Sequence, residues 1–194
     1  MKTLRPQLCI VALFPLALVL TAACGDASDD VEGNDRPGGS GPGGQTSGEP
    51  PAIRGMTAAH NRARAAVDPP ADPPLRPLSW SPEIAAAAQA YAEKCVWDHS
   101  DTDYGENLYA TSNTSATPDE VVATWVAEVD DYDLEGNTCS GTCGHYTQVV
   151  WADSLELGCG VADCTSGSPL GGDAWQIWVC NYDPPGNYIG ERPY

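Results

Sequence analysis

The order of sequence patterns along the chain predicts an α+β fold. Helical spacing dominates the first part of the folded region, and short strand-like runs dominate the last part. The helical segments repeat apolar residues every three or four positions. The later runs, "HYTQVVW", "LGCGVADC" and "WQIWVCNY", are rich in Val, Ile, Trp and Tyr and are separated by Gly, Ser and Pro. A small antiparallel sheet covered by helices is the simplest way to bury both sets.

The elements follow in chain order. Residues 1–24 carry a basic start, Lys2 and Arg5, and an apolar stretch from Leu8 to Ala23 interrupted by Pro15. This stretch is too short and wrongly flanked for a spanning helix and reads as a secretory signal. It ends in "LTAAC", which resembles the cleavage box of bacterial lipoproteins, with Leu20 one place earlier than usual and Cys24 as the lipidation site. Residues 25–52 are rich in Gly, Pro, Asp and Ser and bury too little apolar surface to offset their ordering entropy, so they read as a disordered tether. The folded domain is expected over 53–194.

Within it, a first helix is expected from Ile53 to Val67, with Gly55 weakening its start. "VDPPADPPLRP" must be an irregular loop, because paired prolines prevent regular hydrogen bonding. Ser81-Pro82-Glu83 opens a second helix with a capping hydroxyl, Pro in the first turn and an early acid. Ile84, Ala88, Tyr91, Ala92 and Cys95 share one of its faces. "TPDE" is a capping box opening a third helix, with Val121, Val122, Trp125 and Val129 in a stripe. The last two strand-like runs form a hairpin over "TSGSPLGGDA".

All 27 Asp and Glu lie beyond Cys24, as do all but two of the nine Lys and Arg, so the mature chain has a formal charge of −20. That balance argues against nucleic acid and anionic membrane surfaces as partners. Of eight cysteines, Cys9 falls in the signal and Cys24 at the lipid site. Cys95, Cys139, Cys143, Cys159, Cys164 and Cys180 remain, an even set that implies three disulfides in an exported domain. Six cysteines allow about fifteen pairings, and the sequence alone does not choose among them.

Four groups carry candidate chemistry. His60 opens "HNRAR" on the first helix. Glu106 lies in "GENLY", expected in the loop after the second helix. Glu128 lies on the third helix, and His145 begins the first strand-like run. Taken singly, each has a plain structural reading: a surface histidine, a turn acid, a solvated acid, a satisfied core histidine. Scattered over four segments, they make a weak metal signal without a fold to join them.

"GHYTQVVWADS" and "WVCNYDPPGNYIGERPY" resemble the two signature segments of the CAP superfamily, which comprises cysteine-rich secretory proteins, antigen 5 and plant pathogenesis-related class 1 proteins (the SCP domain). "HNRAR" and "GENLY" resemble two further motifs of that family, in the same order, and the ending "PGNYIGERPY" is similar to the plant branch. Trp178 departs from the family, which usually has an aliphatic residue, Phe or Tyr there. The resemblance covers residues 53–194. It implies an α-β-α sandwich with a small central sheet flanked by helices. It also implies the bridges Cys139–Cys143, Cys95–Cys164 and Cys159–Cys180. The four-residue spacing of the first pair and the hairpin placement of the last are compatible with that pairing.

The resemblance further implies that His60, Glu106, Glu128 and His145 converge on an open cleft. On a strand, Gln148 and Tyr146 then face away from His145, and Gln148 serves as a structural hydrogen bonder. Imidazole and carboxylate together suit a divalent ion, zinc first, with each Glu steadying a ring. Family relatives bind sterols or other lipids, and plant ones act against microbes. The expectation is a monomeric, extracytoplasmic, non-enzymatic binding module, tied to the envelope by a lipidated Cys24, with no catalytic residue assigned. Metal-assisted hydrolysis is an alternative that no Gly-x-Ser-x-Gly or HExxH signature supports. An envelope structural or adhesion role is the third.

Overall fold

The computed structural model describes residues 48–194. The signal segment, Cys24 and most of the proposed tether lie outside the described residues. The helices are α1 (Met56–Ala65), α2 (Pro82–Ala92), α3 (Pro118–Val126) and α4 (Gly144–Val149). The strands are β1 (Ser79–Trp80), β2 (Gly105–Thr111), β3 (Tyr132–Asp133), β4 (Thr138–Cys139), β5 (Glu156–Cys164) and β6 (Trp175–Asp183). The main sheet has the order β1-β5-β6-β2. Its three long strands are antiparallel neighbours, and short β1 runs parallel to β5. β3 and β4 form a separate two-stranded ribbon.

Alternation along β6 divides the core. Trp178, Cys180 and Tyr182 join α1, α3 and α4 on one face, with Met56, Val121, Trp125 and Val149. Trp175, Ile177 and Val179 join α2 on the other, with Ala88 and Ala92. Helices therefore cover both faces of the sheet, the α-β-α sandwich the resemblance implies. α2 comes close because β5 carries Gly160: a Cβ there would lie 2.4 Å from the Gln89 Cα. The Gln89 side chain then bonds the β5 edge, accepting from Val161 N at 3.0 Å and donating to Val161 O at 3.1 Å.

Three bridges staple the sandwich, in the pairing the resemblance implies: Cys95–Cys164, Cys139–Cys143 and Cys159–Cys180. The capping box of α3 forms as its sequence predicts. Thr117 Oγ1 accepts from Glu120 N, and Glu120 Oε2 accepts from Thr117 N at 2.8 Å.

Three local expectations need correction. "HYTQVVW" is not a strand: residues 144–149 form α4. "GENLY" is not a loop but the start of β2, the edge strand of the main sheet. The proposed tether also ends too late. Glu49 is buried, and its carboxylate accepts from Gly55 N and Thr57 N, both at 2.7 Å. It thereby satisfies two of the donors that α1 exposes at its start. Pro51–Ile53 form a 3₁₀ turn leading into that helix, which begins at Met56 rather than Ile53.

Candidate functional site

α4 is held at both ends by side chains from elsewhere in the chain. At its start, Glu128, in the 3₁₀ turn that extends α3, accepts from His145 N at 2.9 Å and Tyr146 N at 3.2 Å. Its other oxygen accepts from His145 Nδ1 at 2.5 Å. At its end, Arg64 donates to the carbonyls of Val149 at 3.0 Å and Trp151 at 2.7 Å. The same guanidinium donates to Arg76 O at 2.9 Å. Carbonyls take the place of a counter-ion around this buried cation. Burial lowers its pKa to about 10, so it stays charged at neutral pH.

His145 and Glu128 thus form one imidazole–carboxylate pair, and it is partly open to solvent. A second pair comes from a residue that the sequence reading did not single out. His99 Nδ1 donates to Glu106 Oε1 at 2.8 Å. Glu106 is almost completely covered, while His99 is largely exposed. The same Glu106 oxygen accepts from Ser100 N at 2.9 Å, and Ser100 Oγ donates to Glu106 Oε2. The available signal was the spacing of His99 seven residues before Glu106. It was masked by a stretch of Asp, Ser and Thr that resembles an ordinary turn.

His60 does not join either pair. It is fully buried, and both of its ring nitrogens are engaged. Nδ1 donates to Met56 O at 2.9 Å, so Nε2 must accept from the Tyr182 hydroxyl at 2.8 Å. The Tyr182 oxygen accepts from Asn107 Nδ2 at 3.1 Å, and Asn107 also donates to His145 O at 3.0 Å. Desolvation holds His60 down at about 4, against a partial lift from the Met56 carbonyl. It is a neutral core histidine that braces the backbone under His145. The structure therefore does not bring all four residues named from the sequence together, because both ring nitrogens of His60 are taken up in the core. Among the described residues, no group of three or more His, Cys, Asp or Glu is placed to hold a metal.

Trp125 separates the buried ring from the open one. Its indole lies 5.9 Å from the His60 centroid and stacks at 6.2 Å on His145. Its Nε1 donates to Leu108 O at 3.1 Å, which locks α3 to the outer edge of β2. Beside it lies a cleft of about 340 Å³ whose lining includes Trp97, Leu108, Trp125, Glu128, His145 and Leu170. Trp97 and Leu170 remain 44% and 56% exposed, unusual for large apolar side chains. The His99–Glu106 pair lies on the same loop and strand, two residues from Trp97 and Leu108 respectively. The cleft therefore combines apolar walls with the polar His145–Glu128 pair. Among the described residues, the one side-chain hydrogen-bond partner of each of the His99 and His145 imidazoles is its carboxylate.

Gln148 is buried on α4. Its Oε1 accepts from Gly186 N at 2.9 Å, and its Nε2 donates to Ser154 Oγ at 3.1 Å. Its structural role is as expected, but strand alternation is not the reason for it.

Residues 57–182 match the model of the CAP family, described as the cysteine-rich secretory protein family. The chain is 44% identical over 142 residues to pathogenesis-related protein 1A of Nicotiana tabacum, covering 70% of this chain and 77% of that protein. It is 37% identical over 158 residues to the human GLIPR1-like protein 1, covering 75% and 64%. Among solved structures, venom allergen-like protein 4 of Schistosoma mansoni superposes with a TM-score of 0.60 at 28% identity, covering 75% of this chain and 95% of that one. The motif resemblance, the sandwich with its three bridges and these matches agree: the chain belongs to the CAP, or cysteine-rich secretory protein, family.

Proposed function

We propose that this chain is an exported, monomeric, non-enzymatic binding module whose cleft takes a small ligand with an apolar body and one polar group, a sterol or related lipid. The supporting observation is the about 340 Å³ cleft, apolar along Leu108, Trp125 and Leu170 and polar at His145–Glu128. Its volume falls in the range of about 300–1,000 Å³ typical of small-molecule sites. The apolar walls would shed water from the ligand body. The imidazole and carboxylate would fix the orientation of a hydroxyl or headgroup. Three disulfides fit an oxidising, extracytoplasmic setting. Anchoring through Cys24 belongs to the same reading and is checked by intact mass of the mature N-terminus.

Zinc or another divalent ion is not required by this reading. His99 and His145 each give Nδ1 to a carboxylate, which leaves Nε2 as the open nitrogen. In calorimetric zinc titration, any uptake should respond to His99→Ala and His145→Ala and be indifferent to His60→Gln.

Binding of a fluorescent sterol to the purified protein tests the main reading. Saturable binding should weaken at least tenfold in Trp97→Ala/Leu170→Ala. Equal binding by that variant, or hydrolysis of an ester and peptide panel by the parent protein, would refute it.

A further inference from the structure

We propose that the Cys139–Cys143 bridge is a redox-sensitive positioning device for the His145–Glu128 pair, opened by an external dithiol before the other two bridges. As regulation of the cleft, the inference rests on the binding reading above; as chemistry of the bridge, it does not.

Placement is the first argument. Cys143 immediately precedes α4, two residues before His145. Cys139 lies on β4 opposite Tyr132 of β3, and β3 follows directly from the turn that carries Glu128. Glu128 and His145 are 17 residues apart in the chain, and this bridge short-circuits the connection between them. Within the loop, Asp131 O accepts from Ser140 N at 2.9 Å, and Asp131 Oδ2 accepts from Thr142 N at 3.3 Å. These bonds are exposed, and exposed hydrogen bonds contribute little by themselves once a loop is free to move.

Accessibility is the second. Cys139 is exposed and its partner Cys143 is 5% exposed, whereas Cys159, Cys164 and Cys180 are 1%, 3% and 0% exposed. All three bridges have at least one buried cysteine; Cys159–Cys180 is sealed at both ends and Cys95–Cys164 joins a half-buried residue to a buried one, so Cys139 alone is an exposed partner. Thiol–disulfide exchange needs in-line access to one sulfur, and here only the Cys139–Cys143 bridge offers an exposed residue, Cys139, as the point of attack. The third argument is the size of the loop. Cys139 and Cys143 are four residues apart, against 69 for Cys95 and Cys164, so opening the small loop changes chain entropy least. Its effect is local, on the segment that joins the two halves of the pair.

The chemistry balances with a dithiol as reductant. One thiolate of the dithiol attacks Cys139 Sγ, the Sγ–Sγ bond breaks, and Cys143 leaves as a thiolate that takes up a proton. The second thiol attacks the mixed disulfide and releases Cys139 as a thiol. The dithiol departs as its cyclic disulfide, and two electrons have passed to the cystine.

The test titrates the folded protein with dithiothreitol, traps free thiols with iodoacetamide and maps them by peptide mass. In parallel, the His145 ring is followed by NMR. Cys139 and Cys143 should be trapped at a dithiol concentration at least tenfold below that needed for any other cysteine. The His145 signal should shift at the same concentration. Cys139→Ser/Cys143→Ser should show the shifted signal without reductant and remain folded. Earlier opening of another bridge, or an unmoved His145 signal once Cys139 and Cys143 are free, would overturn the proposal. Loss of the shifted signal because the variant unfolds leaves the dithiol titration to decide. Failure of sterol binding with both results intact would count against the binding reading alone.

Discussion

His60 ties acid stability to one ring. In the folded protein it is neutral down to about pH 4, because burial opposes charging. In the unfolded chain it takes a proton near the ordinary value of about 6.5. The unfolded state thus binds more protons between those values, and stability is lost as pH falls through that window. The loss reaches about 3 kcal/mol at its lower end. Urea unfolding from pH 7 to 4 should show this slope, and His60→Gln should flatten it at some cost in stability at pH 7. Glu128 has a different effect. It holds the His145 ring and two N–H groups of α4, so Glu128→Ala should cost ~1–3 kcal/mol and weaken sterol binding. At this scale His145 and Glu106 were marked by the motifs that hold them and Glu128 by the family resemblance; His145 and Glu128 line the cleft, and Glu106 pairs with His99 beside it. The role of His60 was not, because nothing local distinguishes a cleft histidine from one whose second nitrogen meets Tyr182, 122 residues away.

The elements that were misread from sequence are those held together by distant partners. α4 is six residues long, too short for a helical period to register, and its β-branched and aromatic content matches a strand equally well. It is helical because Glu128 closes one end and Arg64 the other. β2 opens with Gly105, Glu106 and Asn107, polar residues that resemble a turn but pair in register with β6 up to Gln176. By contrast, α3 carries a capping box that forms, β5 and β6 carry sustained apolar patterns, and α2 carries Pro82 in its first turn and an apolar stripe; these were legible, although the expected Ser81 hydroxyl makes no capping bond. Two outcomes follow. Arg64→Met should destabilise by ~3–5 kcal/mol, since four carbonyls lose their donor, and Arg64→Lys should not restore the fork of contacts. A chain beginning at Ile53 should melt below one beginning at Gly48 by the equivalent of about 1–2 kcal/mol, because Glu49 caps α1. Equal melting of the two would return Glu49 to the tether.

Across the whole molecule, bridges and charge set the conditions under which the cleft works. The Cys95–Cys164 bridge closes the largest loop and joins the end of α2, beside Trp97, to the end of β5. Its removal should cost about 4 kcal/mol by the chain-entropy estimate, read as a lower denaturation midpoint. The acidic formal charge, −18 for the full chain, should repel anionic vesicles, so delivery of ligand should be faster from neutral lipid than from anionic lipid, and the difference should shrink in salt. The central claim is that the cleft is built on the His145–Glu128 pair, with His60 behind it as a core residue. The chain has three histidines, so its ring NMR spectrum reads the claim residue by residue. As a sterol is titrated to saturation at pH 7, the account predicts that the His145 ring shifts while the His60 ring stays unmoved. A spectrum in which His60 moves and His145 does not would contradict it.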